Sequence, residues 1–166
     1  KAHRHQCQPV VAAGMTRTTI DLPDLAAMEA LGARIAAAMR PGDVIALSGP
    51  LGAGKTTLAR AILRAAGHAG EVPSPTFTLI EMYEALQPPV AHADFYRLED
   101  PAEVEELGLD DYREGAVLIA EWPERAGGFA NEPACLTIDV SFAGANAQAC
   151  RKAIVEGGAD WLGRAP

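Results

Sequence analysis

The chain has 166 residues, enough for one domain with a sizeable core and too few for two domains of ordinary size. Its formal net charge is −8, whereas proteins that bind nucleic acid directly usually carry an excess of basic residues. We therefore expect any role in nucleic-acid chemistry to depend on a partner that binds the nucleic acid. Three cysteines without a CxxC pair predict a reducing cytoplasm, and no apolar run approaches the roughly 20 residues that cross a membrane.

Residues 1–14 differ from the rest of the chain. They are basic and irregular, and their apolar patch at residues 9–13 is too short for a secretory segment. We interpret them as a leader or an added extension, with Met15 as the natural start. The expected folded unit is therefore a single domain over residues 15–166.

Strand and helix patterns alternate early in the domain and give way to strands later. Apolar residues spaced three and four apart mark helices, and short continuous apolar runs mark buried strands. The predicted order is a strand at residues 16–22, a helix at 23–39, a strand at 44–47, a helix from Lys55 that ends before Gly67, strands at 76–83 and 90–96, an acidic helix at 101–107 with Asp100 as its N-cap, and strands at 117–120, 136–140 and 149–155. This order predicts an α/β fold of three layers, in which helices flank a mixed sheet of central parallel strands and antiparallel edge strands.

Residues 49–56, Gly-Pro-Leu-Gly-Ala-Gly-Lys-Thr, match the phosphate-binding pattern GxxxxGK[ST]. The glycines let backbone N–H groups turn toward phosphate oxygens, and the following helix adds the positive end of its dipole. In this pattern the lysine reaches the β- and γ-phosphates and the threonine hydroxyl ligates Mg²⁺. Because a strand leads in and a helix leads out, a plain glycine turn is the weaker interpretation. The predicted cofactors are ATP and Mg²⁺, and the predicted nucleotide-binding residues are Gly49, Gly52, Ala53, Gly54, Lys55, Thr56 and Thr57.

Two carboxylates are placed to complete such a site. Asp94 and Glu121 each follow an apolar strand, and the carboxyl ends of strands line the crevice where open α/β sheets bind ligands. Phosphoryl transfer needs an acidic group near Mg²⁺ and a group that orients the attacking water. The alternative is that Glu121 is a solvated carboxylate at a sheet edge, Asp94 a polar strand end, and His92 a structural histidine.

Residues 74–76, Ser-Pro-Thr, allow two interpretations. In the switch loops of GTPases a threonine joins Mg²⁺ when the γ-phosphate is present, and Thr76 follows the phosphate loop in a comparable way. The segment equally suits a turn that leads into a strand. The residues alone do not separate the two.

Five sequence blocks in order resemble the bacterial TsaE family. They are Leu-Ser-Gly and Leu-Gly-Ala-Gly-Lys-Thr-Thr within residues 47–57, Ser-Pro-Thr-Phe-Thr-Leu at 74–79, His-Ala-Asp-Phe-Tyr-Arg-Leu at 92–98, Glu-Glu-Leu-Gly-Leu-Asp-Asp-Tyr at 105–112 and Glu-Trp-Pro-Glu at 121–124. The phosphate loop is shared by many families, whereas the four later blocks in this order and spacing are specific. The resemblance extends over about residues 22–140.

The resemblance implies a P-loop ATPase of the machinery that makes N6-threonylcarbamoyladenosine at position 37 of tRNA. Such proteins are weak ATPases alone and work by docking onto the TsaB–TsaD pair, so that tRNA is held mainly by the partners. Thr56 and Glu121 match the family's Mg²⁺ ligands, and Glu121 is also placed to polarise the attacking water. The implied catalytic residues are Lys55, Thr76, Asp94 and Glu121, and Trp122 matches a tryptophan beside the nucleotide.

Two positions depart from the family pattern. Pro50 stands where the family often has an acidic residue, at a position that need not touch phosphate. The family's late Gly…Arg element is blurred between Gly144 and Arg151. Whether this late segment contributes to nucleotide binding is left open by the sequence.

Two other functions share the phosphate loop. A small P-loop kinase that phosphorylates a metabolite would gather arginines over the phosphates, and a GTP-binding switch would carry the guanine-reading NKxD sequence, which is absent. The arginines after the loop are scattered instead, at Arg60, Arg64, Arg97, Arg113 and Arg125. The sequence therefore predicts an Mg²⁺-dependent ATPase, with the kinase as the alternative.

Overall fold

The computed structural model describes residues 16–73, 75, 79–144 and 150–166. The helices and strands within these ranges are β1 (Thr16–Leu22), α1 (Leu25–Ala38), β2 (Val44–Ser48), α2 (Lys55–Ala65), β3 (Ile80–Tyr83), β4 (Val90–Asp94), α3 (Glu103–Glu106), α4 (Leu109–Arg113), β5 (Val117–Glu121), β6 (Cys135–Phe142) and β7 (Arg151–Gly157). Two short 3₁₀ turns follow β5 and β7, at Pro123–Ala126 and Ala159–Trp161. No helix in these ranges has the length and apolar character of a membrane span.

The seven strands form one mixed sheet in the order β1-β7-β6-β2-β5-β4-β3. β2 pairs in parallel with β5 and β6, and β4 pairs in parallel with β5. The pairs β1–β7, β6–β7 and β3–β4 are antiparallel. The predicted fold, with parallel strands at the centre and antiparallel strands toward the edges, is confirmed.

Helices on both faces of the sheet complete the three layers. The apolar sides of α1 and α2 pack with β2, β5 and β6 in the larger core. On the opposite face a smaller core surrounds Phe95, Leu109 and Phe129. The two long helices meet closely at Gly32, where a Cβ atom would lie 2.6 Å from the Cβ of Ala61.

Side-chain caps explain why two elements are shorter than predicted. α1 begins at Leu25 because the carboxylate of Asp24 accepts a hydrogen bond from the N–H of Ala27 at 2.8 Å. β4 ends at Asp94, two residues early, because its carboxylate accepts from the N–H of Tyr96 at 3.0 Å and turns the chain. The predicted end of α2 is confirmed: Gly67 has φ +113°, and the chain closes in a Schellman motif.

The acidic segment after β4 differs most from the prediction. The carboxylate of Asp100 accepts from the N–H of Ala102 and closes a turn, so the helix begins only at Glu103 and spans four residues. A second short helix, α4, was not predicted. β6 and β7 pair with each other as predicted. The interpretation of residues 1–14, the predicted strand start at 76–78 and residue 149 of the last predicted strand lie outside the described residues.

Candidate nucleotide-binding site

The predicted phosphate loop joins the end of β2 to the start of α2. Gly49, Gly52 and Gly54 have φ angles of 132°, 78° and 109°, which residues with a side chain rarely adopt. These angles fold the loop back on itself just before the N-terminus of α2. Because that end of the helix carries unsatisfied N–H groups and partial positive charge, the loop suits an anion.

Gly49 also lies too close to β6 for any side chain. A Cβ atom there would lie 2.0 Å from the carbonyl oxygen of Val140, whereas a Cβ at Gly52 would meet nothing within 4 Å. Both positions have positive φ, so alanine at either should cost about 1–2 kcal/mol. We expect Gly49→Ala to lose about 1–3 kcal/mol more than Gly52→Ala in urea unfolding without nucleotide, because β6 must shift. Equal losses for the two variants would contradict this packing argument.

Lys55 lies inside the mouth of the loop. Its Nζ donates to the carbonyl oxygens of Gly49 at 2.6 Å and Pro50 at 2.9 Å, and the side chain is buried. Burial lowers the pKa of Lys55, and the negative charges of nearby carboxylates, Glu121 first among them, act in the opposite direction. The ammonium group of Lys55 thus lies where the loop would bind phosphate.

Glu121 joins the phosphate loop to β4. Its Oε1 accepts from the hydroxyl of Thr56 at 2.6 Å, and its Oε2 lies 2.7 Å from Nε2 of His92. Glu121 is 1% exposed, so the alternative that it is a solvated carboxylate at a sheet edge is wrong. Its strand lies between β2 and β4, which encloses the carboxylate on both sides. A hydroxyl of the loop and a strand-end carboxylate are therefore already in contact.

Asp94 stands beside Glu121 across the sheet, as its partner in the β4–β5 register. Partial burial raises the pKa of Asp94, the hydrogen bond from the N–H of Tyr96 lowers it, and the negative charge of Glu121 raises it further. The prediction that the two strand ends bring these carboxylates to one crevice is confirmed. Asp94 keeps part of its surface open to the crevice, while Glu121 is enclosed.

Trp122 forms the wall of the crevice next to Lys55. Its ring centroid lies 4.2 Å from the Lys55 Nζ and 4.9 Å from the ring centroid of Tyr96. The backbone of Trp122 has φ 53°, in the left-handed region that is unusual for a bulky residue. Such strain persists only where the surroundings enforce it, and it clusters at functional sites. The unusual backbone of Trp122 and its contact with Lys55 fit the prediction of a tryptophan beside the nucleotide.

A cavity of about 310 Å³ unites most of the predicted site residues. Its lining includes Gly52, Gly54, Lys55, Thr56, Thr57, Asp94, Glu121 and Trp122. Ala53 does not line this cavity: its N–H donates to the carbonyl of Pro50, and its side chain is buried. Thr76 lies outside the described residues, so its predicted role stays a prediction.

The oxygen atoms in this cavity fit Mg²⁺. The donor set is a hydroxyl from Thr56 and carboxylates from Glu121 and Asp94, and Mg²⁺ prefers oxygen ligands. In phosphate-transfer sites Mg²⁺ is held by one or two carboxylates together with phosphates and water. The described ranges contain no group of three His, Cys, Asp or Glu side chains that would hold a metal alone. Phosphate oxygens and water would complete the coordination of a bound Mg²⁺.

A second cavity, of about 250 Å³, opens on the other side of the loop. Leu22, Leu25 and Met28 give it an apolar wall, and Thr57 borders both cavities. Arg151 also lines it and donates from Nε to the carbonyl of Ala53 at 3.1 Å. Sequence reasoning left the role of this late segment open and did not single out Arg151 as a site residue. A contact between residues so far apart in the chain leaves no periodic signal.

Comparison with known proteins gives one consistent family. A family model described as "Threonylcarbamoyl adenosine biosynthesis protein TsaE" matches residues 22–152. Proteins named "tRNA threonylcarbamoyladenosine biosynthesis protein TsaE" are similar to the chain in several bacteria. The one from Mycobacterium tuberculosis is 40% identical over 127 residues, covering 70% of this chain and 76% of the relative. The one from Haemophilus influenzae is 44% identical over 90 residues, covering 54% and 57%.

A solved structure agrees with these sequence matches. The crystal structure of Bacillus subtilis YdiB superposes with a TM-score of 0.70 and 28% sequence identity, covering 88% of each chain. In sequence, a Bacillus subtilis relative is 45% identical over 95 residues, which cover 57% of this chain and 59% of the relative. The matched segments thus span little more than half the length of the Haemophilus and Bacillus relatives, and a larger share of the mycobacterial one.

Proposed function

The chain belongs to the TsaE family, and we propose that it is the Mg²⁺-dependent, ATP-hydrolysing subunit of the machinery that makes N6-threonylcarbamoyladenosine on tRNA. The observation that carries the proposal is the 2.6 Å bond from the Thr56 hydroxyl to Glu121, formed beside Lys55 at the mouth of the loop. A metal-binding hydroxyl, an enclosed carboxylate and a phosphate lysine are the parts that nucleotide hydrolysis on such a loop requires.

The two cavities support a placement for ATP. The triphosphate fits the larger one, against the loop amides and Lys55, and the nucleoside fits the smaller one, against Leu22 and Met28. Gly52, Gly54 and Thr57 line both cavities and lie between them. Arg151 supports the loop from the nucleoside side through the Ala53 carbonyl.

In hydrolysis, water would attack the γ-phosphorus of ATP. The bond from that phosphorus to the β–γ bridging oxygen would break, and the oxygen would leave with ADP. Thr56 and Glu121 would hold Mg²⁺, which when bound neutralises charge on the β- and γ-phosphates. Lys55 exchanges its bonds to the loop carbonyls for bonds to phosphate oxygens. Glu121, fixed by two hydrogen bonds, orients the water and favours loss of its proton. Trp122 and Tyr96 limit the access of other water from one side.

The acidic character of the chain supports a role beside a tRNA-binding partner. A net charge of −8 opposes direct contact with the phosphate backbone, so we assign tRNA to the TsaB–TsaD pair. Because the proposed role is in tRNA modification, we expect the protein to act in the cytoplasm. In this proposal docking onto the pair raises the rate of an otherwise slow ATPase, and Thr76 acts at the γ-phosphate.

The arginines give little support to the alternative of a metabolite kinase. Arg60 donates to the carbonyl of Val72 at 2.9 Å, and Arg113 pairs with Glu132 on the far side of the domain. Arg125 lies over the exposed ring of Tyr96. A kinase needs cationic groups over the transferred phosphate; Arg60 and Arg113 are committed elsewhere, and Arg125 contacts the ring of Tyr96, which lines the cavity.

Reconstitution tests the proposed function. ATP turnover would be measured for the chain alone, with the TsaB–TsaD pair, and with the pair and tRNA, using GTP and a panel of metabolite phosphate acceptors as controls. We expect slow turnover alone, clear stimulation by the pair, and a preference for ATP. An unstimulated chain would contradict the proposed role, and efficient phosphorylation of a small molecule would favour the kinase.

A further inference from the structure

His92 is a buried polar residue that the proposed hydrolysis does not yet use. It lies in the middle of β4 with no exposed surface, and its neighbours Ala91 and Ala93 are equally buried. Its Nε2 lies 2.7 Å from Oε2 of Glu121. Among the described residues its other ring nitrogen, Nδ1, has no hydrogen-bond partner. The bond to Glu121 is therefore the one that accounts for a histidine at this place.

Burying an imidazole in a strand core has a cost that an apolar residue would avoid. A buried polar group without a partner destabilises the folded state, and Nδ1 has none among the residues that the structure describes. Leucine or valine would fill the same core without this penalty, as the buried neighbours on β5 do. The stability of the sheet alone does not explain His92, so its value must lie in what it does to Glu121.

The sheet register explains how His92 reaches that carboxylate. His92 pairs with Ile119, and Glu121 stands two residues further along β5 on the same face. Diagonal neighbours of this kind are within reach of long side chains. His92 therefore contacts one oxygen of Glu121 from within the buried sheet, and Thr56 contacts the other oxygen from the phosphate loop.

We propose that His92 is a positioning residue that fixes the carboxylate of Glu121 for Mg²⁺–nucleotide binding, an inference that rests on the proposed function. Facing a carboxylate oxygen, Nε2 carries the hydrogen and donates it to Oε2. With Oε2 held in this way, Oε1 is turned toward Thr56 and the phosphates. Without the donor, the enclosed carboxylate keeps a single hydrogen bond and is free to rotate about its terminal torsion.

A matched pair of amide substitutions isolates this role. In His92→Gln the side-chain amide nitrogen takes the place of Nε2, whereas in His92→Asn the shorter side chain puts it near Nδ1, out of reach of Glu121. Both variants are polar and uncharged, so they differ chiefly in whether the donor reaches Oε2. A third variant, His92→Leu, fills the core without any donor.

The readout is metal affinity, which does not depend on turnover. Mn²⁺ binding would be followed by electron paramagnetic resonance in the presence of a non-hydrolysable ATP analogue, and thermal unfolding would be recorded for each variant. We expect His92→Asn and His92→Leu to bind Mn²⁺ about 10- to 100-fold more weakly, the range found when a hydrogen-bond partner of a metal ligand is lost. His92→Gln should stay close to the wild type, and analogue affinity in EDTA should be similar in all four proteins.

The contrary outcomes separate this inference from the proposed function. Equal Mn²⁺ affinity in the wild type and His92→Asn would overturn the positioning role alone, as would a His92→Gln variant as weak as His92→Asn. Weakened analogue binding in EDTA, in proportion to lost thermal stability, would assign His92 a purely structural role. A wild-type chain that binds no Mn²⁺–nucleotide would overturn the proposed function and this inference with it.

Discussion

Lys55→Ala is expected to weaken ATP binding on the order of 10²-fold and to reduce partner-stimulated hydrolysis below detection. A hydrogen bond to a charged group contributes about 1.5–3 kcal/mol, and each 1.4 kcal/mol is a factor of about ten in affinity. Lys55 would donate such bonds to two phosphate groups from an enclosed position, where solvent screens its charge little. Calorimetric titration with an ATP analogue and a phosphate-release assay measure the two effects.

Lys152→Ala is the matched control, because it removes the same group from β7. Lys152 takes part in no feature of the proposed site, and we expect ATP affinity and turnover to stay at the wild-type level. Thermal unfolding of both variants is needed, since Lys55 also donates to the carbonyls of Gly49 and Pro50 and supports the empty loop. If Lys55→Ala bound ATP as tightly as Lys152→Ala, the loop would not be a triphosphate site.

Much of the central fold could be predicted because it is encoded locally. The runs at residues 44–47 and 117–120 are continuously apolar, and only strands covered on both faces tolerate that. Both lie within parallel strands at the centre of the sheet. The phosphate loop was equally accessible, since its glycines are adjacent in sequence to the strand and helix that they connect. The ends of helices and strands were harder to predict, because they depend on single capping hydrogen bonds such as that of Asp24.

The parts that could not be predicted depend on contacts between distant residues. The Thr56–Glu121 bond joins positions 65 residues apart, and the Arg151–Ala53 bond joins positions 98 apart. Strand order decides both contacts, and hydrophobic periodicity carries no information about order. His92 shows the same limit: its type suggested a structural residue, and only the register of β4 on β5 places it against Glu121.

Glu121→Gln is expected to separate binding from hydrolysis. The amide keeps the volume of the side chain in an enclosed site, and its oxygen can still accept from the Thr56 hydroxyl. The amide nitrogen would then face Nε2 of His92, which can accept once the ring hydrogen moves to Nδ1. What is lost is the negative charge that orients water and accepts its proton, a contribution of about 10²- to 10⁴-fold in rate.

Partner-stimulated turnover should therefore fall by a factor on the order of 10³, while the affinity for the ATP analogue in EDTA changes little. Glu84→Gln, an exposed carboxylate in the turn after β3, is the control for the change of charge. Single-turnover phosphate release gives the rate, and calorimetry gives the affinity. Full stimulated turnover in Glu121→Gln would remove this residue from the chemistry. Lost affinity with an unchanged single-turnover rate would instead make Glu121 a binding group, because losing an interaction made equally in the ground state and the transition state weakens binding alone.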